Sequence, residues 1–109
     1  MDLSKFAEEL KRLEEEIWKK TEILETSVRQ GLDGMQELLQ KLEMLLPEWF
    51  YFITQTGIGT KEQILLILAD MEKAMQAEDS ILLGDALLNG LGLTAAEYVG
   101  IIEEAMHEE

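Results

Sequence analysis

Leu3, Phe6, Leu10, Leu13 and Ile17 follow one another at steps of three and four residues. After Thr21 the rhythm resumes at Leu24, Val28, Leu32, Met35, Leu39, Leu42, Leu46, Trp49 and Ile53. Such steps place side chains on one face of an α-helix, whereas a strand would alternate. The stripe is close to a heptad repeat, with one extra four-residue step around residues 24–32, a stutter. Glu and Lys fill the other faces in favourable i,i+4 pairs such as Glu8–Arg12, Glu15–Lys19 and Glu16–Lys20. Helix formers dominate the composition and Pro47 is the only proline. The expected class is all-α.

Gly31 and Gly34 fall within the stripe, and Asp33-Gly34-Met35-Gln36 could cap a new helix. A loop there would normally reset the apolar phase, and the phase continues. The spacing therefore predicts one helix over about residues 3–55, kinked near Pro47 and roughly 75–80 Å long. The two glycines would let another helix come close.

Shorter elements follow. Thr60-Lys61-Glu62-Gln63 is a capping box opening a helix over about 61–77, whose "ILLIL" run is apolar nearly all round and calls for several covering neighbours. Glu78-Asp79-Ser80 offers an N-cap for a helix over about 80–89, and Asn89-Gly90 offers its stop. Thr94-Ala95-Ala96-Glu97 is a further capping box for a last helix over about 95–107. The 109 residues make one domain, with a bundle over 27–109 and a projecting helical stem over 1–26. An isolated amphipathic helix is marginal in water. The stem is thus expected to pair with a second copy as a coiled-coil dimer through Phe6, Leu10, Leu13 and Ile17.

The stretch Trp49-Phe50-Tyr51-Phe52 runs into Gly57-Ile58-Gly59-Thr60-Lys61. The glycines, hydroxyl and lysine suggest a phosphate cradle, but a P-loop needs G-x-x-x-x-G-K-[ST] after a strand. The preferred reading is a helix corner: Gly57 as a left-handed stop, Ile58 packed back, and Thr60 as the next cap. Trp49 and Tyr51 then belong either to a small aromatic core or to a binding surface.

Formal net charge is −14, and residues 51–109 hold two lysines against eleven acidic residues. Nucleic acid and anionic membrane surfaces are repelled by such a chain, while a basic partner is attracted. The longest apolar run, Ile64 to Ala69, is far below a membrane span of about 20 residues, so no membrane insertion is expected. Cysteine is absent and charges interrupt the apolar runs of "MDLSKFAEEL", which reads as no signal peptide and a cytoplasmic location. Glu104 and His107 form an E-x-x-H pair, the unit used twice in di-iron bundles, but His107 is the only histidine and lies near the chain end. They stand as weak metal candidates; no cofactor and no catalysis are expected.

Gly31-Leu32-Asp33 stands inside a helix, Met75–Ser80 ends another, and Leu82-Leu83-Gly84-Asp85-Ala86-Leu87 makes an "LLxDxL" motif. On these motifs residues 27–88 resemble a small helical domain of Gram-positive bacteria. The resemblance implies a helical fold and no established activity. In profile alone, the chain also resembles acidic helical chaperones of secretion and flagellar export. The leading expectation is a non-catalytic protein–protein interaction module, a homodimer with a possible protein or peptide client. An export-type chaperone or adaptor, using the acidic second half and the last helix, is the alternative. A metal-dependent enzyme built on Glu104 and His107 is the third.

Overall fold

A computed structural model of the chain describes residues 2–107. Among these residues every regular element is helical, in the order α1 (Leu3–Thr26), α2 (Val28–Thr56), α3 (Lys61–Gln76), α4 (Ser80–Asp85), a π-helical segment (Ala86–Gly92) and α5 (Leu93–His107). The all-α class is as expected.

The first half is two helices, which corrects the single helix predicted over 3–55. Ser27 alone is extended, at φ −149° and ψ 111°. Its N–H donates to the Ile23 carbonyl at 2.8 Å and closes α1. Its Oγ accepts from the Gln30 N–H at 3.4 Å and caps α2. One residue thus ends one helix and starts the next, and the chain reverses. Partners run in opposite directions along the hairpin: Leu24 meets Gly31, Lys20 pairs with Glu37 at 3.3 Å, Glu16 with Lys41 at 3.2 Å, and Phe6 stacks on Phe52 at 5.4 Å. The apolar phase survives the reversal because both helices face the same core and only one residue is spent turning.

Gly31 sets how tightly the hairpin closes. A Cβ there would lie 2.7 Å from the Leu24 Cα, inside any real contact, so only glycine lets the backbones meet at this height. The close approach expected of Gly31 and Gly34 is found at Gly31, made within the chain, while a Cβ at Gly34 would meet only the flexible side chain of Lys20, at 3.3 Å. The molecule measures 46 Å along its longest axis, well short of the length expected for one straight helix. α2 alone, at 29 residues, accounts for about 43 Å of it. It continues through Pro47, although proline has no N–H to donate to the carbonyl of residue 43.

The corner after α2 follows the capping logic. Gly57 adopts φ 70° and donates to the Ile53 carbonyl at 2.8 Å; Thr60 Oγ1 accepts from the Gln63 N–H at 3.2 Å and starts α3. Ile58 is half-buried against the core, and its carbonyl accepts from the Tyr98 hydroxyl at 3.0 Å. α3 closes with a Schellman pattern in which Asp79 N–H reaches the Ala74 carbonyl at 3.0 Å and Glu78 N–H the Met75 carbonyl at 3.1 Å. Glu78 occupies the left-handed position at φ 52°, where a Cβ costs about 1–2 kcal/mol. Glu78→Gly should therefore raise stability by about 0.5–1 kcal/mol, read as a higher urea midpoint with unchanged m-value.

The last two predicted helices are one run. Asp79 caps it, accepting from the Ile81 and Leu82 N–H groups at 3.1 and 3.0 Å. The expected stop at Asn89-Gly90 and the fresh cap at Thr94 are both absent: the backbone widens into the π-helical segment and Thr94 is buried inside α5. Asn89 Nδ2 donates to Asp85 Oδ1 at 2.6 Å, so the side chain that would have ended the helix braces the turn before it. The wider turn keeps both Leu87 and Leu91 fully buried, and a Cβ at Gly92 would crowd the Leu87 carbonyl oxygen at 3.1 Å.

The core lies where α1 packs between α2 and α5. Phe6, Trp49, Phe52 and Tyr98 form its aromatic end, with Trp49 edge-on to Tyr98 at 5.3 Å. α3 leans chiefly on α4 and the π-helical segment and touches α2 only weakly.

Candidate functional site

The residues expected at a dimer seam are inside the chain. Phe6, Leu10, Leu13 and Ile17 are all buried, covered by α2 and α5. The projecting stem over 1–26 is thus corrected: the stripe that seemed to need a second copy is satisfied by a hairpin partner the periodicity had merged with it. A Lys11–Glu103 ion pair ties α1 to α5 on the rim of this contact.

Trp49 is fully buried, whereas Tyr51 is 51 % exposed on the outer face of α2. The two do not form one surface. Trp49 Nε1 has no hydrogen-bond partner, an uncommon state for a buried donor. Burial pushes the Tyr98 hydroxyl above its usual pKa, and the nearby Trp49 N–H works weakly the other way while stopping short of hydrogen-bond geometry. Glu104 and His107 are both exposed in the last turns of α5. Among the described residues no three His, Cys, Asp or Glu side chains gather closely enough to hold a metal ion. Lys61 sits over the Phe50 ring at 5.8 Å, which accounts for the cation of the glycine-rich corner.

The "ILLIL" helix differs from expectation in a way that defines a surface. α3 buries Ile64, Met71 and Ala74, but Leu65 and Leu66 are 51 % and 65 % exposed. Because α3 leans away from α2, an open groove of about 550 Å³ lies between them. Leu39, Leu42 and Leu46 form one wall; Leu68 and Met75 form the other; Glu43, Glu72 and Gln76 stand on the rim. Leu42 is buried, and Leu39, Leu46, Leu68 and Met75 are half-buried, so the floor is apolar and only partly covered. Leu65 is three residues before Leu68 and seven before Glu72, which places it on the same flank of α3.

The groove residues carried a signal in the sequence. Leu38-Leu39, Leu45-Leu46 and Phe52-Ile53 are apolar doublets seven residues apart. A single neighbour needs one apolar residue per turn or so, and doublets widen the face to serve two. In α2 Leu38 and Leu45 are buried while their neighbours Leu39 and Leu46 look to the groove, and at the third doublet both Phe52 and Ile53 are buried.

A second cleft, about 430 Å³, runs along the α1/α2 seam and is charged, with Glu9, Arg12, Glu16, Lys41 and Glu48 around Met44. Burial and then the neighbouring Glu9 carboxylate raise the Glu48 pKa. A raised pKa means the folded state favours the protonated form. Its stabilising contribution is full below the ordinary carboxylate value and is lost as pH rises through the raised one. At neutral pH the charged Glu48 is therefore a cost. Glu48→Gln should raise the melting temperature at pH 7 by about 2 °C and narrow its lead over the parent as pH falls towards the ordinary carboxylate value, in thermal melts across that range.

No helix among the described residues is long and apolar enough to cross a membrane. Neither a protein-family model, nor a curated protein, nor a solved structure matches this chain.

Proposed function

We propose that the chain is a non-catalytic helical protein–protein interaction module whose partner seats between α2 and α3. The observation that supports this most is the apolar groove itself: two helices present leucines to a furrow that none of the described residues fills. Exposed apolar surface of this kind, rimmed by polar groups, marks interaction sites on soluble proteins. α3 adds Leu65 on the same flank, more than half exposed. The absence of cysteine and the strong acidity fit a cytoplasmic setting. A homodimer through α1 loses its support with the burial of the α1 stripe, and the last helix spends Tyr98, Val99 and Ile102 on the core, which favours the α2/α3 groove over α5 as the binding surface.

The test is affinity capture with the full chain and with a Leu68→Arg/Met75→Glu variant, each checked by circular dichroism. A partner retained by the parent and lost by the folded variant supports the reading. Equal capture by both places the binding elsewhere and overturns it.

A further inference from the structure

Resting on that reading, we propose that the occupant of the α2/α3 groove is one amphipathic helix flanked by lysine or arginine, supplied by another protein rather than by a second copy of this chain. The shape of the walls comes first. Leu39, Leu42 and Leu46 are spaced by three and four residues and Leu68 and Met75 by seven, so both walls repeat at the pitch of an α-helix. A furrow between two helices with that repeat is filled by a third helix presenting i, i+3/i+4 and i+7 anchors. The walls cover about eight residues each, roughly two turns or 12 Å, which suits three such anchors. Met75 supplies an unbranched side chain that adapts to whichever apolar residue arrives.

Charge then selects the flanks. Glu43 stands on the α2 rim and Glu72 on the α3 rim, both exposed and on opposite sides of the apolar floor. A helix lying between them meets a carboxylate on each flank. Lysine or arginine there would lay its alkyl stem over the leucines and reach a carboxylate with its head. A second copy is a poor occupant on the same grounds. Each copy carries −14, and three of its nine basic residues, Lys11, Lys20 and Lys41, are already paired with Glu103, Glu37 and Glu16 inside the chain. Two such surfaces repel before any apolar contact forms.

The probe is a fluorescein-labelled Leu/Lys peptide of about five helical turns patterned as an amphipathic helix. Two controls accompany it: the same composition scrambled, and a Leu/Glu peptide with the same pattern. Anisotropy titrations use the full chain, and light scattering reports its oligomeric state. Expected are saturable binding of one patterned Leu/Lys peptide per chain, weak binding of both controls, and a loss of about tenfold in affinity on Glu43→Lys/Glu72→Lys. That variant alters only exposed residues and keeps the fold. Met75→Glu should weaken binding by a similar factor. Equal binding of the scrambled peptide would reduce the effect to bulk charge and overturn the proposal. So would equal binding of the Leu/Glu peptide, or a dimer of the parent that these variants dissociate. If the patterned peptide fails to bind while capture still depends on Leu68 and Met75, the basic occupant is refuted and the interaction module stands. If neither depends on the groove, both fall.

Discussion

Phe6→Ala should cost about 3–5 kcal/mol of folding stability, the range for removing a fully buried aromatic side chain. Phe6 lies in the second turn of α1, where an isolated helix end would fray. Here its ring stacks on Phe52 of α2 at 5.4 Å, and Phe52 in turn meets Tyr98 of α5 at 5.9 Å. Removing the ring opens a void at the junction of three helices, in a domain whose total stability is expected at about 5–15 kcal/mol. The measurement is urea unfolding at two protein concentrations. A fall of the midpoint that is the same at both concentrations identifies an intrachain core residue. On a projecting stem, the same change would weaken only self-association and the loss would depend on concentration.

Gly31→Leu should cost about 3 kcal/mol or more, and Gly31→Ala less. Two effects oppose each other at this position. Replacing glycine inside a helix gains up to about 1 kcal/mol in backbone propensity. Against it, the new Cβ would stand 2.7 Å from the Leu24 Cα, which belongs to the backbone and has no rotamer to move into. The hairpin must open, and overpacking of a close contact typically costs about 1–3 kcal/mol, with leucine at the upper end. At Gly34 the nearest atom is Cδ of Lys20, 3.3 Å away on a flexible side chain, so Gly34→Ala should be nearly neutral by comparison. A thermal melt of the Gly31 and Gly34 alanine variants side by side reads the difference.

What the sequence disclosed, and what it hid, follows from how each signal arises. Local chemistry was legible where it stands alone. Gly57 and Thr60 are a helix stop and a helix start in the structure, as their residue types required, and no phosphate chemistry is needed to explain them. The reversal at Ser27 was hidden by the very regularity of the stripe. Ser27-Val28-Arg29-Gln30 is a capping box, but a single extended residue shifts the apolar phase too little to announce a turn. The four-residue step from Leu24 to Val28, read as a stutter in one helix, marks that turn. At residues 89–94 the error ran the other way. Asn89, Gly90 and Thr94 are stop and start residues by type, but burial of Leu87 and Leu91 against the core holds the backbone helical by widening it.

The same misreading governed the site. With α1 and α2 taken as one rod, Phe6, Leu10, Leu13 and Ile17 looked like an unpartnered seam, and the α2/α3 furrow did not exist as a place. Once the hairpin is recognised, the α1 stripe is spent and the surplus apolar surface moves to Leu39, Leu46, Leu65, Leu68 and Met75. Tyr51 stays outside while Trp49 turns in, because residues two positions apart on a helix are about 200° apart and face nearly opposite sides.

The hairpin is the claim on which the buried stripe and the open groove both depend. Its most direct test is a distance. The chain has no cysteine, so Arg12→Cys and Met44→Cys give two clean spin-label sites on residues that line the same α1/α2 cleft. Pulsed dipolar spectroscopy on the doubly labelled chain, diluted with unlabelled protein, should give a single short distance of about 20 Å or less, the width of two packed helices. A distribution centred near 48 Å, the rise of a continuous helix over that interval, would contradict the account.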